Sequence, residues 1–163
     1  MILVKQRNFL DCAIASIATF CYIPYEDALA RYASTLEAVP ESWEEWFTAH
    51  RISTSDSRLW LSPMKAFCTA ESRSKDWKLP LEECSGWRSK AVWNWLVTTG
   101  TSGVLAVNSL NYPGALHCVV YDGQGVLDPS NSLTFQYEDK PEIVDCTLGE
   151  TDFDQFKKDV HRD

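Results

Sequence analysis

In the first third of the chain apolar residues recur at helical spacing. In the last third they come in short blocks of β-branched and aromatic residues. Ala13, Ile14, Ile17, Ala18 and Cys21 predict a helix beginning near Cys12, with Asp11 at its N-cap position. Tyr22-Ile23-Pro24 breaks it, and Tyr25-Glu26-Asp27-Ala28-Leu29 opens a second helix with acidic residues in its first turn. Pro40 to Phe47 predicts a third, with Trp43, Trp46 and Phe47 on one face. Ser62-Pro63 caps a short helix through Ala70, and Ser89 to Thr98 forms another, with Val92, Trp93 and Leu96 as its apolar stripe and Gly100 as its stop. Strands follow: Val104–Val107, then Cys118–Tyr121 after a loop over 108–116, then Val126-Leu127 beyond a turn at Gly123-Gln124-Gly125. Leu133–Tyr137 and Ile143–Cys146 are candidate further strands, and the polar tail carries a short helix around Phe153 and Phe156. Helices first and strands after predict an α+β fold, an N-terminal helical part packed on a C-terminal antiparallel sheet.

Composition narrows the classes. The 163 residues are expected to form one domain, 1–163. The net charge of -8 lacks the basic patch that a nucleic-acid partner or an anionic membrane surface requires. No apolar run reaches the roughly 18 residues of a membrane span, and the apolar start is too short for a signal peptide. A cytoplasmic location is therefore expected, where thiols stay reduced. The six cysteines are scattered without a Cys-x-x-Cys pair, which argues against a disulfide framework and a zinc site. No cofactor or metal is implied.

Against this background Gln6, Cys12, His117 and Asp128 stand out by type and order. A thiolate is the nucleophilic form of cysteine, and a helix N-terminus and a neighbouring imidazolium both favour it. Cys12 at a helix start meets the first condition, and the unpaired N–H groups there can also hold an oxyanion. Gln6, on the preceding loop, can add a side-chain N–H to the same oxyanion. His117 opens a strand as candidate base, and Asp128 lies one hairpin later as its orienter. Each has an ordinary alternative: Cys12 a small core residue, His117 a buried ring on a loop carbonyl, Asp128 a turn residue before Pro129.

Hairpin geometry links the last two. A two-residue Gly123-Gln124 turn sets Asp122 opposite Gly125 and Asp128 opposite Val119. Asp128 is then a diagonal neighbour of His117, roughly 7–8 Å away between backbones and within side-chain reach. A three-residue loop instead sets Asn131 opposite His117, and an Asn can orient the ring equally well.

With these residues in view, the chain resembles the papain-like cysteine peptidases, and within them the C39-like peptidase family. The resemblance rests on Gln6-Arg7-Asn8-Phe9-Leu10-Asp11-Cys12-Ala13-Ile14-Ala15, on His117-Cys118-Val119-Val120-Tyr121-Asp122 and on Val126-Leu127-Asp128-Pro129. It spans about residues 5–24 and 104–130. It implies a papain-like fold with Gln6 in the oxyanion hole, Cys12 as nucleophile, His117 as base and Asp128 as orienter. Ala13 stands where the family usually has Gly, a change that keeps the helical conformation but narrows the space beside the thiol. The double-glycine substrates of transporter-linked members are not carried over to a chain without a membrane-spanning run.

The leading expectation is a cysteine hydrolase acting on a peptide, isopeptide or related amide bond of a peptide or protein substrate. The same residues can pass the acyl group to an amine, which makes acyl transfer a close variant. A non-catalytic protein-binding module on the same fold is the rival reading, with Trp43, Trp46 and Phe47 or the Trp93/Trp95 helix as its surface. A metal site using His117 and Cys118 is disfavoured because adjacent strand residues point to opposite faces. By the same alternation Cys118 is expected in the core, away from His117. His50 is read as ending a helix and His161 as tail. Asp11 is read as a helix cap first, with a substrate contact only as a secondary guess.

Overall fold

The computed structural model describes residues 1–8, 11–34, 36–49, 89–130, 142–148 and 153–161. The expected helix from Ser62 to Ala70, the strand Leu133–Tyr137, His50 and Asn131 lie outside these residues, as do Cys68 and Cys84.

The described chain is α+β. Five helices, α1 (Cys12–Cys21), α2 (Tyr25–Ala33), α3 (Trp43–Ala49), α4 (Ser89–Thr99) and α5 (Phe153–His161), accompany four strands. The strands are β1 (Gly103–Asn108), β2 (Leu116–Tyr121), β3 (Val126–Leu127) and β4 (Ile143–Leu148), in the order β3-β2-β1-β4, all pairs antiparallel. Strand alternation divides the core in two. Val104, Ala106, Leu116, Cys118 and Val120 face α1, α2 and α3. Leu105, Val107, Val119 and Tyr121 pack with Val92, Trp93 and Leu96 of α4 and Phe156 and Val160 of α5.

The helix α1 is more deeply set than an amphipathic stripe predicts: all ten of its residues are buried. A helix apolar all round belongs inside a domain, and its small residues let sheet and α2 approach it closely. Its few polar groups are satisfied. Thr19 Oγ1 donates to Ala15 O (2.9 Å) and accepts from Val4 N–H (2.8 Å). The same hydroxyl thus tethers the N-terminal arm. Replacing Thr19 by the near-isosteric Val is expected to cost about 1–2 kcal/mol, because Val4 N–H loses its partner. Urea unfolding would read the loss, and faster amide exchange at Val4 would localise it.

The helix ends as the break at Tyr22-Ile23-Pro24 requires. Tyr22 takes a left-handed conformation (φ 57°), and Ile23 N–H and Tyr22 N–H close back on Ala18 O and Thr19 O. Pro24 is the N-cap of α2, its carbonyl accepting from Asp27 and Ala28. The third helix starts at Trp43 rather than Pro40, because Ser42 Oγ caps it by accepting from Glu45 N–H (3.2 Å). Trp43, Trp46 and Phe47 gather round the buried Tyr32, Trp46 edge-on to Tyr32 at 5.5 Å and Trp43 stacked on Phe47 at 5.6 Å. This face is therefore largely an internal packing surface.

Helix α4 stops at Gly100 (φ 66°), as its sequence predicts. A Cβ on Gly123 (φ 95°) would stand 2.7 Å from Gly100 O, so the helix end and the β2–β3 turn meet backbone to backbone. The edge strand β4 carries an irregularity against β1: Ala106 pairs with Asp145 but Val107 with Ile143. The extra residue, Val144, is exposed, and Ile143 and Cys146 share the α4/α5 core despite their odd spacing. Among the described residues no helix is long and apolar enough to cross a membrane.

Candidate active site

Three segments converge at the start of α1. The first comprises Gln6 to Asn8 together with Asp11 and Cys12. The sharpest departure from expectation here concerns Asp11: its side chain makes no cap bond to α1. The carboxylate, fully buried, reaches backward and accepts from Arg7 N–H (3.0 Å), Asn8 N–H (3.2 Å) and Tyr25 Oη–H (2.5 Å). Burial, then the hydrogen bond to Asp11, pushes the Tyr25 hydroxyl pKa far up, so it remains a donor. The Arg7 guanidinium lies over the Tyr25 ring, 4.3 Å from its centroid, and pairs with Glu26. Asp11 therefore shapes the loop that carries Gln6. Its backbone carbonyl performs the N-cap role by accepting from Ala15 N–H (3.2 Å).

The second segment is the β2–β3 hairpin. Val120 pairs with Leu127 and Tyr121 with Val126, and Asp122 N–H bonds Gly125 O (3.1 Å). This is the register of a two-residue turn, and counting one residue beyond its last pair sets Val119 opposite Asp128. The Asp122 carboxylate holds the turn by accepting from Gln124 and Gly125 N–H, both at 2.9 Å. The diagonal neighbours meet: His117 Nε2 bonds Asp128 Oδ1 at 2.7 Å. That leaves Nδ1 for the other side of the ring. Asp128 Oδ1 also accepts from Ser130 N–H (2.8 Å), which holds the carboxylate in place.

The third segment is the N-terminal arm, which joins the first two. Gln6 N–H donates to Pro129 O (2.9 Å), and Lys5 Nζ donates to Asp128 O (3.2 Å) and Ser130 O (2.9 Å). Gln6 is buried, and its Nε2 donates to Asn8 O (2.8 Å). The candidate oxyanion donor and the candidate orienter are thus built onto one hydrogen-bonded pair of segments.

Cys12 sits where these segments meet, buried at the first position of α1. It packs in one core cluster with Cys118, and the groups that act on its ionisation are Cys118 and His117. The Cys118 hydrogen bond, followed by His117, outweighs burial and holds the Cys12 pKa well below the ordinary thiol range. Burial alone would lower the His117 pKa, but the Cys12 thiolate and the Asp128 carboxylate override it and raise the ring to about 10. The two groups titrate as a pair. Between the low thiol pKa and about 10 the favoured state is thiolate beside imidazolium, with the Nε2 proton donated to Asp128.

Cys118 is on the face opposite His117 by alternation, as expected, but that face is where α1 packs. Ser16 Oγ, one turn beyond Cys12, donates to Cys118 O (3.0 Å). Period-2 spacing together with a helix start on that side would have pointed to the contact. Lys5, Tyr25 and Ser130 carry no motif in the sequence, and their roles depend on chain segments meeting across long separations. Among the described residues no group of three or more His, Cys, Asp or Glu could hold a metal ion. Compared with known proteins, the chain matches no family model, no curated protein and no solved structure, so the reading of this site stands on its own geometry and chemistry.

Proposed function

We propose that the chain is a papain-like cysteine hydrolase of the C39-like type, one domain that cleaves an amide bond in a peptide or protein. The observation that carries this reading is the 2.7 Å hydrogen bond between His117 and Asp128, together with a Cys12 pKa that His117 helps to hold well below the ordinary thiol range. A structural cysteine in a core has no use for an imidazolium–carboxylate pair aimed at it, and desolvating three such groups opposes folding unless they act together.

The chemistry follows from the positions. The Cys12 thiolate attacks the carbonyl carbon, and the Cys12 backbone N–H and the Gln6 side-chain amide are the donors assigned to the oxyanion. His117 gives its Nδ1 proton to the departing amine as the C–N bond breaks, leaving a thioester on Cys12. The ring, now neutral and still oriented by Asp128, takes a proton from water as the hydroxide adds to the thioester. Collapse releases the acid and restores thiolate and imidazolium.

The test is a peptide mixture digested with the wild-type protein and with Cys12→Ala, read by mass spectrometry for new termini. An acid quench of the wild-type reaction is searched for an acyl adduct on Cys12. New termini and an adduct in the wild type only are the expected result. Absence of both, or equal cleavage by Cys12→Ala, would remove the hydrolase reading. An adduct that transfers to added amines instead of water would turn it into acyl transfer.

A further inference from the structure

Cys118 has a chemistry that amide hydrolysis does not use. It is a second buried thiol packed in the same core cluster as the nucleophile, whose pKa it helps to lower. Both sulfurs belong to the same core cluster, and the Ser16 hydroxyl bonded to Cys118 O pins the first turn of α1 against this point of β2. The other described thiols are placed differently. Cys21 closes the ten-residue helix that Cys12 opens, roughly 13 Å away at the helical rise. Cys146 lies in the core on the opposite face of the sheet. All four are reduced.

We propose that Cys12 and Cys118 form a peroxide-sensitive pair, with Cys12 the oxidised thiol and Cys118 the resolving thiol, whose disulfide reversibly blocks the nucleophile. The inference rests on Cys12 being a reactive thiolate, as in the proposed function, but not on amide hydrolysis. In the first step the Cys12 thiolate attacks one oxygen of hydrogen peroxide. The O–O bond breaks, Cys12 becomes a sulfenic acid, and hydroxide leaves to be protonated to water. In the second, the Cys118 sulfur attacks the sulfenic sulfur. The S–O bond breaks, and the hydroxide leaves with the Cys118 proton as a second water. Two electrons from the two sulfurs have reduced one peroxide. A dithiol reductant reverses the product by exchange. With its resolving partner in the same core cluster, the sulfenic acid closes to a disulfide before a second peroxide carries it to the irreversible sulfinic acid.

The full chain is treated with hydrogen peroxide, digested without reductant and mapped by mass spectrometry, beside Cys118→Ser and Cys118→Ala. The expected result in the wild type is a loss of two hydrogens, a cross-link between the Cys12 and Cys118 peptides, and iodoacetamide labelling of Cys12 that returns with dithiothreitol. In both variants Cys12 is trapped by dimedone as sulfenic acid and proceeds to a sulfinic acid that dithiothreitol does not recover. Equal dimedone trapping in wild type and variants, or a cross-link from Cys12 to Cys68 or Cys84, overturns the pair. The cross-link is read in the wild type itself, so a variant that fails to fold leaves that part of the test intact. If Cys12 alkylates rapidly at mildly acidic pH but forms no link to Cys118, the pair fails while the thiolate reading stands. If Cys12 is neither alkylated nor oxidised ahead of the other thiols, both fail.

Discussion

Asp11→Ala is expected to destabilise the protein by about 2–4 kcal/mol, although the residue lies outside the Cys12–His117–Asp128 set. The carboxylate is fully buried and accepts three hydrogen bonds, from Arg7 N–H, Asn8 N–H and Tyr25 Oη–H. Truncation leaves all three donors without their acceptor, and Tyr25, itself buried, has no easy route to water. The loss should therefore approach the cost of unsatisfied buried groups rather than that of one average hydrogen bond. Asp11→Asn keeps one acceptor oxygen but turns the other into a donor facing donors, and should fall in between. Urea denaturation with a shifted midpoint and an unchanged slope would register it. A loss below about 0.5 kcal/mol for Asp11→Ala would mean that the loop carrying Gln6 is held by other contacts.

Asp128→Ala is expected to act on chemistry rather than on stability, lowering turnover by on the order of 10–100-fold. The 2.7 Å bond to His117 Nε2 fixes the orientation of the ring, and the carboxylate favours the imidazolium. The sign of the pH effect follows. Asp128 raises the His117 pKa, so its removal lowers the alkaline limit of the ion-pair state from about 10 toward the ordinary histidine range. A weaker imidazolium also stabilises the thiolate less, so labelling of Cys12 in mildly acidic solution should slow. The pH profile of Cys12 alkylation separates this from simple unfolding, which would expose all six thiols alike.

The parts of the site legible in the sequence are those set by local rules. Counting residues left two hairpin registers, and the two-residue Gly123-Gln124 turn, the one adopted, puts Asp128 diagonal to His117. The start of α1 at Cys12 followed from apolar spacing and its end from Tyr22-Ile23-Pro24. Gly100 marked the end of α4. The parts missed arise where distant segments meet. Asp11 had the right residue type and position for a cap, but its carboxylate turns back to the loop because Tyr25, fourteen residues on, is brought over it. The ten-residue burial of α1 depends on layers on both sides, which periodicity within the helix does not register. The strand β2 begins at Leu116, earlier than its run of valines, because Asn108 pairs with Leu116 across β1. The irregularity at Val144 follows from pairing with β1, not from any breaker in Ile143-Val144-Asp145-Cys146. The Cys12–Cys118 packing needed both strand alternation and the side on which α1 packs, and only the first was local.

The proposed chemistry requires Cys12 to be a thiolate held by His117. Its most direct test is the rate of Cys12 alkylation by iodoacetamide against pH, resolved by peptide mapping, in the wild type and in His117→Ala. The predicted result is selective labelling of Cys12 well below the roughly pH 8.5 at which an unperturbed thiol ionises, with a loss of about tenfold or more near neutrality in the variant. A Cys12 that labels no faster than the other thiols at neutral pH, or whose rate is unchanged in His117→Ala, would contradict it.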